Sequence, residues 1–273
     1  MTVQIYAHRG SSARFAEHTR AAYLQALADG ADGVECDLHL SADGALVLLH
    51  DDTVDRTSNG TGPVANLTLA QLRGLDFSSW KGASIPPEYG ATAEQLLTLD
   101  DLLDILAGAG RAVGLAIEFK YGARFDPVLV DATLAALRVR GWTPEAPDAG
   151  MVGVSFMSFH PEAVTYLAAR VPAGRLCQLL EETDPAEPMA ELMQQAMAAG
   201  ARLLDDGVAQ LAGPGVEYLR ANPGNGHRWA AAGRRFRVWT VDTAEDLATC
   251  QEFGVHEVTS NHPAKIRAMS ARL

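Results

Sequence analysis

Residues 33–50 read GVECDLHLSADGALVLLH and contain two short apolar runs. The second run, residues 45–49, is continuously apolar, which is typical of a strand buried on both faces of a sheet. The first run carries Glu35 and Asp37 two positions apart, so a strand there would project both carboxylates to one face. The stretch therefore predicts two buried strands, one of which holds a pair of acids.

The link between these two runs is short. Its six residues, 39–44, are too few to form the helix that usually connects two parallel strands. The pair Asp43-Gly44 is a hairpin turn signal, and a two-residue turn there would place Asp37 opposite His50. An extended return to the floor of a barrel is the alternative that the sequence leaves open.

Similar apolar runs recur along the whole chain, and helical segments separate most of them. They cover residues 3–7, 33–38, 45–49, 113–119, 151–156, 175–180, 201–205, 237–241 and 255–259. Alternating strands and helices with no Pro/Gly-rich linker indicate one closed α/β barrel. We predict a TIM (β/α)8 barrel formed by a single domain, residues 1–273, with a doubly wound sheet as the structural alternative. Nine runs for eight barrel positions indicate that one strand lies outside the barrel.

Residues 52–97 interrupt this alternation. They are rich in Gly, Pro, Ser, Thr and Asn and show only a weak helical pattern, near residues 67–72. Long insertions after barrel strands usually cover the mouth of the active site. We therefore predict a rim insertion after the third strand. It either helps to select the substrate or is a peripheral loop without a role in the site, and the sequence favours neither alternative.

The amino-acid composition restricts the kinds of partner that the protein is expected to bind and the compartment in which it is expected. The chain has 34 acidic and 22 basic residues, a formal net charge of −12, which argues against a nucleic-acid-binding surface. Its three cysteines are sparse and have no CxxC spacing, so neither a disulfide framework nor a zinc site is indicated. No run approaches the roughly 18 apolar residues of a membrane span, and the first residues lack a signal-peptide pattern. We expect a cytoplasmic protein without stable membrane association.

Four strand ends carry chemically active side chains, and in a parallel barrel these ends meet at one rim. They are His8 and Arg9, Glu35 and Asp37, His50, and Glu118 with Lys120. Each pair alone has an ordinary structural explanation, such as a surface ion pair. Together, two histidines, three carboxylates and two cations suit phosphoryl chemistry, in which acids bind Mg²⁺ or Ca²⁺, cations hold phosphate and histidines transfer protons. The GxSxG, GxxxxGK[ST] and HExxH motifs of other hydrolases are absent from the sequence.

These residues make the sequence resemble the glycerophosphodiester phosphodiesterase family. The resemblance rests on His8-Arg9-Gly10, Glu35-Cys36-Asp37, His50-Asp51-Asp52-Thr53, Asp55-Arg56-Thr57, Asn59-Gly60-Thr61-Gly62 and Glu118-Phe119-Lys120, with Ser158-Phe159 and Trp239-Thr240-Val241-Asp242 near later strands. It extends nearly end to end. No single tripeptide is specific, but the ordered combination is.

The resemblance implies a TIM barrel that hydrolyses glycerophosphodiesters to glycerol 3-phosphate and an alcohol with one divalent cation, Mg²⁺ or Ca²⁺. It implies that His8 and His50 are catalytic. The other implied roles are metal ligation by Glu35, Asp37 and Glu118, phosphate binding by Arg9 and Lys120, and lining of the glycerol or headgroup pocket by Phe159 and Trp239.

Two positions depart from the family pattern. His18 stands in Ala-Glu-His-Thr, where the family usually has Pro-Glu-Asn-Thr. Asn261 stands in Ser-Asn-His-Pro, where an Asp normally precedes the residue before proline. Neither belongs to the proposed catalytic set, so we expect altered specificity rather than lost activity.

Two other functions would use the same residues. A phospholipase or sphingomyelinase D type barrel acting on intact lipid would need membrane contact, and no basic amphipathic helix or aromatic cluster is visible to supply it. A non-catalytic barrel that binds phosphodiesters would have no need to keep both histidines and all three acids. Both readings are alternatives to the hydrolysis of a small-molecule glycerophosphodiester.

Overall fold

The computed structural model describes residues 3–122, 124–146, 148–186 and 188–271. Ten strands lie in one sheet: β1 (Gln4–Ala7), β2 (Gly33–Leu40), β3 (Leu46–Leu48), β4 (Val113–Phe119), β5 (Asp148–Ala149), β6 (Val152–Ser158), β7 (Leu176–Leu180), β8 (Leu211–Pro214), β9 (Arg235–Val238) and β10 (Glu257–Ser260). All except β3 and β5 pair in parallel, and β1 pairs with both β2 and β10. The sheet therefore closes into an eight-stranded barrel, which confirms the predicted TIM fold.

Helices surround the barrel. They are α1 (Arg20–Ala28), α2 (Leu69–Arg73), α3 (Leu99–Ala107), α4 (Val128–Val139), α5 (Pro161–Ala168), α6 (Ala190–Asp205), α7 (Val216–Ala221), α8 (Pro223–Ala231), α9 (Ala244–Glu252) and α10 (Pro263–Ser270). Among the described residues, none of these helices is long and apolar enough to cross a membrane. The inward faces of all of these helices except α2 pack on the strands and form the main apolar core.

The strands β2 and β3 form a hairpin, which settles the alternative left open by the sequence. The predicted opposition of Asp37 and His50 is wrong by one residue, because Asp37 lies opposite Leu49, whose N–H donates to the Asp37 carbonyl at 3.3 Å. The turn is the cause. Gly44 donates its N–H to the Ser41 carbonyl at 3.0 Å and has a φ of +81°, which fits a type I turn followed by a left-handed residue rather than a two-residue turn.

The predicted strand at residues 201–205 is wrong. These residues end α6, whose buried positions Met197, Gly200 and Leu204 follow helical spacing. The barrel strand in this part of the chain is β8, with the sequence Leu-Ala-Gly-Pro. Glycine and proline are poor strand formers, so β8 carries almost no strand signal in the sequence.

The insertion folds against the outer side of the hairpin. Five of its buried apolar side chains cluster with Val47 and Leu49 apart from the main core: Val54, Val64, Leu72, Phe77 and Leu96. Gln95, fully buried, accepts a hydrogen bond from the Ala21 N–H and donates to carbonyls of residues 89–91. The insertion is thus held to α1 at the rim of the barrel, as the predicted rim insertion requires.

The floor of the barrel interior is filled and closed by a buried ion pair. Arg237 is 2% exposed, pairs with Glu257 and lies 4.3 Å from the centre of the Tyr6 ring. The Tyr6 ring itself occupies the space that side chains at Gly33 and Gly114 would need. This layer separates the carboxyl-end rim from the opposite end of the barrel.

Candidate active site

The carboxyl ends of the barrel strands surround one cavity of about 760 Å³. Eight of the nine predicted site residues line it: His8, Arg9, Glu35, His50, Glu118, Lys120, Phe159 and Trp239. The ninth, Asp37, is completely buried, in contact with Lys120 and Arg9. The fold therefore brings all nine predicted site residues together. Their proximity alone does not show what each of them does.

Three carboxylates form a buried cluster beside this cavity. Asp37 of β2 and Glu118 of β4 are direct partners in neighbouring strands, and Glu35 lies two residues before Asp37 on the same strand. One oxygen from each of the three lies within 4.8 Å of the others. Glu35 Oε1 is buried and has no hydrogen-bond partner among the described residues, and Asp37 Oδ1 is buried and faces the Lys120 ammonium at 3.1 Å. Buried carboxylate oxygens at this spacing, one of them without a partner, fit a hard divalent cation such as Mg²⁺ or Ca²⁺.

Two cations lie directly against these acids. Lys120 Nζ is 2.5 Å from Glu118 Oε1 and 3.1 Å from Asp37 Oδ1. Arg9 Nε is 3.3 Å from Asp37 Oδ2, and its Nη1 donates to Glu17 at 3.0 Å. The mutual repulsion expected of three acids is therefore partly relieved by the protein's own cations.

Burial and these cations move the carboxyl pKa values in opposite directions. Burial and the neighbouring Asp37 charge raise the pKa of Glu35 well above its ordinary value. Burial also raises the pKa of Glu118 to about 7, against the opposing effect of Lys120. Burial alone would raise the pKa of Asp37 too, but the nearby positive and hydrogen-bonding groups, Lys120 first, hold it well below its ordinary value. One acid is thus firmly ionised, while the other two hold protons more readily.

The ring of His8 is oriented by residues that follow β9 and β10. His8 Nδ1 lies 2.8 Å from Asn261 Oδ1, and the Asn261 side-chain amide donates to Asp242 Oδ2 at 2.7 Å. Because the amide nitrogen is committed to Asp242, its oxygen faces His8, and His8 Nδ1 is the donor. His8 Nε2 is then the unprotonated nitrogen, 4.0 Å from Glu35 Oε2. Burial, reinforced by Arg9, lowers the pKa of His8 to about 4.

The ring of His50 has a different setting. Its Nδ1 lies 2.6 Å from Asp51 Oδ1, and Asp51 is held in turn by Arg56 of the insertion, with Nε 2.6 Å from Asp51 Oδ2. Arg56 also pairs with Glu17 at 2.8 Å, and Glu17 in turn contacts Arg9, so the insertion is tied to residues that hold the site. The Nδ1 of His50 therefore faces a carboxylate, whereas the Nδ1 of His8 faces an amide oxygen.

Sequence reasoning missed several residues that support the site. His18 is 3% exposed and joins Asp37 Oδ2 to the Tyr23 hydroxyl, with both contacts at 2.9 Å. The Tyr23 hydroxyl donates to the Glu35 carbonyl at 3.0 Å. The departures at His18 and Asn261 were the available signal, because both now prove to contact predicted site residues.

The two predicted pocket aromatics meet on the cavity wall. Phe159 follows β6 and Trp239 follows β9, and their rings pack edge to face with centroids 5.4 Å apart. Trp239 Nε1 donates to the Gly213 carbonyl at 2.8 Å, which fixes the indole. The wall opposite the acids is therefore rigid and aromatic at its base.

Comparisons with known proteins agree with this architecture. The model of the "Glycerophosphoryl diester phosphodiesterase family" matches residues 8–265. A Mycobacterium tuberculosis protein named "Probable glycerophosphodiester phosphodiesterase 1" is 38% identical over 97% of this chain and 91% of its own length. A Bacillus subtilis glycerophosphodiester phosphodiesterase is 30% identical over 94% of this chain and 83% of its own length.

Solved structures give the same result. The structure of an Oleispira antarctica phosphodiesterase in complex with the product sn-glycerol-3-phosphate aligns with a TM-score of 0.73 and 26% identity. The alignment covers 97% of this chain and 96% of that protein. The likeness thus spans the barrel and its insertion rather than one motif.

Proposed function

This chain belongs to the glycerophosphoryl diester phosphodiesterase family and is an enzyme of that class, and on this premise we propose that it hydrolyses glycerophosphodiesters to sn-glycerol 3-phosphate and an alcohol. The observation that carries the proposal is the cavity that joins the carboxylate cluster to His8 and His50. Hydrolysis depends on one divalent cation and on proton transfer by the two histidines.

Glu35, Asp37 and Glu118 are the proposed ligands of the cation. Mg²⁺ or Ca²⁺ bound there would offset negative charge on the phosphate oxygens. The unpartnered Glu35 Oε1 supports this assignment, because burying a carboxylate oxygen without a partner is costly. An ion held by these acids would offset part of their negative charge, and Lys120 and Arg9 would then be available to bind the substrate phosphate. An acidic protein needs such local cations to hold a phosphodiester.

The hydrogen bonds support different roles for the two histidines. His8 presents an unprotonated Nε2, so we assign it as the base that takes a proton from the water that attacks the phosphorus. Burial and the Lys120 charge lower the pKa of His50 below its ordinary value, but the hydrogen bond to the Asp51 carboxylate opposes this shift. His8 Nδ1, in contrast, faces a neutral amide, so we assign His50 as the acid. As the new P–O bond forms and the bond to the alcohol breaks, His50 gives its proton to the leaving oxygen.

A headgroup panel tests the proposal. Release of sn-glycerol 3-phosphate is measured from the glycerophosphodiesters of choline, ethanolamine, glycerol and inositol, each with Mg²⁺, Ca²⁺ or no metal. We expect metal-dependent release from at least one member, and release slowed by roughly 10² to 10⁴ in the His8→Ala variant prepared in the same way. If no diester yields glycerol 3-phosphate with either metal, while the protein is folded, the proposed function is wrong.

A further inference from the structure

The cavity has two unlike halves. The half beside β1, β2 and β4 holds the acids, cations and histidines already described. The other half, here called the apolar chamber, is formed at the ends of β6, β7 and β9 and by the first turns of α6. Its walls are Met157, Phe159, Leu179, Leu192, Met193 and Trp239.

Methionines are concentrated in and around the apolar chamber. Met157, Met189, Met193 and Met197 all line the cavity, and they are four of the seven methionines of the chain. Methionine side chains are unbranched and adapt their shape to a contacting surface. A wall of this composition accommodates flexible apolar ligands better than it recognises one rigid polar group.

The outer edge of the apolar chamber exposes large apolar side chains. Met189, Leu192 and Met193 are 58%, 42% and 36% exposed, and they lie at the start of α6. They are not part of the buried face of α6, which begins at Met197. Apolar side chains grouped at the mouth of a cavity are typical of a binding surface.

The charges in this half restrict the ligand further. Glu162 and Glu181 line the cavity here, and neither forms an ion pair within the described ranges. Arg237 reaches the same region from the floor, but Glu257 neutralises it at 2.6 Å. The apolar chamber therefore disfavours an anionic group and accepts a neutral or cationic one.

We propose that the apolar chamber binds a single aliphatic chain carried by a glycerophosphodiester substrate whose headgroup is neutral or cationic. This inference rests on the proposed function, because the phosphodiester has to occupy the polar half of the same cavity. The chain can be attached to the glycerol or to the leaving alcohol, and both kinds of molecule present the same hydrocarbon to the walls.

A chain-length series tests this inference. One arm carries acyl chains of zero to eight carbons on the glycerol of glycerophosphocholine, and the other carries them on the nitrogen of glycerophosphoethanolamine, all below their micellar concentrations. The measured quantity is kcat/KM for release of the alcohol. We expect it to rise with chain length in at least one arm, by up to about fourfold for each methylene that becomes fully buried. The arm that responds identifies where the chain is attached.

Paired variants locate the effect in the apolar chamber. In the double variant Leu192→Gln/Met193→Gln, the ratio of kcat/KM for the longest substrate to kcat/KM for the shortest should be at least tenfold smaller than in the parent. The matched control is Met151→Gln, an exposed methionine at the opposite end of the barrel, which should keep the full dependence. Thermal unfolding of each variant excludes a loss of folding as the cause.

The possible outcomes separate this inference from the proposed function. If the enzyme hydrolyses the chain-free diester but kcat/KM does not rise with chain length in either arm, the proposed binding of a chain by the apolar chamber is wrong. The proposed function is then unaffected. A gain that survives in Leu192→Gln/Met193→Gln also overturns it, because the chain would then bind elsewhere. Failure to hydrolyse any member, with or without a chain, contradicts the proposed function itself.

Discussion

Asn261 Oδ1 lies 2.8 Å from His8 Nδ1, and this contact joins residues 253 positions apart in the chain. Asp242 holds the Asn261 amide from the other side, accepting from its backbone N–H at 2.9 Å and from its side chain at 2.7 Å. An amide at this position orients the His8 ring without placing a negative charge next to it. His8 therefore stays neutral, as a base must be.

Replacing Asn261 with Asp should shift the pH dependence of catalysis. A carboxylate beside Nδ1 favours the protonated ring, so the pKa of His8 rises from about 4. Because activity is lost as His8 becomes protonated, the acidic limb of the kcat/KM profile should move to higher pH in Asn261→Asp. Asn225→Asp, whose side chain contacts Tyr218 far from the cavity, should leave the profile unchanged. An unmoved acidic limb in Asn261→Asp would refute the proposed link to His8.

Removal of either catalytic candidate should slow the reaction strongly. His8→Ala and His50→Ala should each reduce kcat by roughly 10² to 10⁴, the usual contribution of general acid–base catalysis. His227 and His262 are exposed residues outside the cavity, and their Ala variants serve as controls. Near-normal turnover in both His8→Ala and His50→Ala, with folding intact by circular dichroism, would exclude the pair.

Arg9 and Lys120 should differ in how they tolerate substitution. Arg9 spans Asp37 and Glu17 with two separate nitrogens, which the single ammonium of a lysine does not reproduce. Arg9→Lys should therefore lower kcat/KM although it keeps the charge, and Lys120→Met should lower it by removing one. Steady-state kinetics at saturating metal provide the measurement. Unchanged kcat and KM in both variants would mean that the phosphate binds elsewhere.

Metal binding should be linked to the proton on Glu118. Burial raises the pKa of Glu118 to about 7 in the metal-free protein, above the ordinary value of 4.5, and metal ligation requires the carboxylate. Deprotonation of Glu118 should therefore increase metal affinity with pH up to about 7, by at most about tenfold per unit, and this group should contribute no further increase above that pH. Titration calorimetry at pH 6 and pH 8, in two buffers of different ionisation enthalpy, measures both the affinity and the released proton.

The raised pKa of Glu118 also determines how this group changes the free energy of unfolding with pH. Between pH 4.5 and about 7 the folded metal-free protein holds the Glu118 proton and the unfolded chain releases it. Stability from this group is thus present below pH 4.5 and is lost as pH rises through about 7. The free energy of unfolding of Glu118→Gln should lack this decline. Equal pH dependence in Glu118→Gln and the parent would contradict the shifted pKa.

Much of this site was predictable because its residues lie at strand ends with a clear signal. The strand of residues 113–119 was predicted with the bounds that the structure gives to β4, and its terminal Glu118 and Lys120 followed directly. Apolar runs define such strands locally, and barrel geometry then gathers their carboxyl ends. That combination was enough to place Glu35, Asp37 and both histidines near one another. The assignment of residues 1–273 to a single domain stays a prediction.

Other features depended on contacts that no local pattern encodes. β8 was missed because Leu-Ala-Gly-Pro lacks strand-forming residues, and Gly213 is needed there since a side chain would meet Cys177 Sγ. The register of β2 and β3 depends on the turn between them, in which Gly44 has a positive φ. His18 and Asn261 appeared in the sequence only as departures from a family pattern. Their contacts with Asp37 and His8 exist only in the closed barrel.

The central claim is that the buried acids Glu35, Asp37 and Glu118 hold a divalent cation that hydrolysis requires. The direct measurement is turnover of the best glycerophosphodiester by protein treated with EDTA and shown metal-free by elemental analysis. We predict that turnover is lost, and that Mg²⁺ or Ca²⁺ restores it and raises the melting temperature, because an ion that binds only the folded state stabilises it. Asp37→Asn should need more metal for half-maximal activity. Full turnover by the metal-free parent would contradict the account.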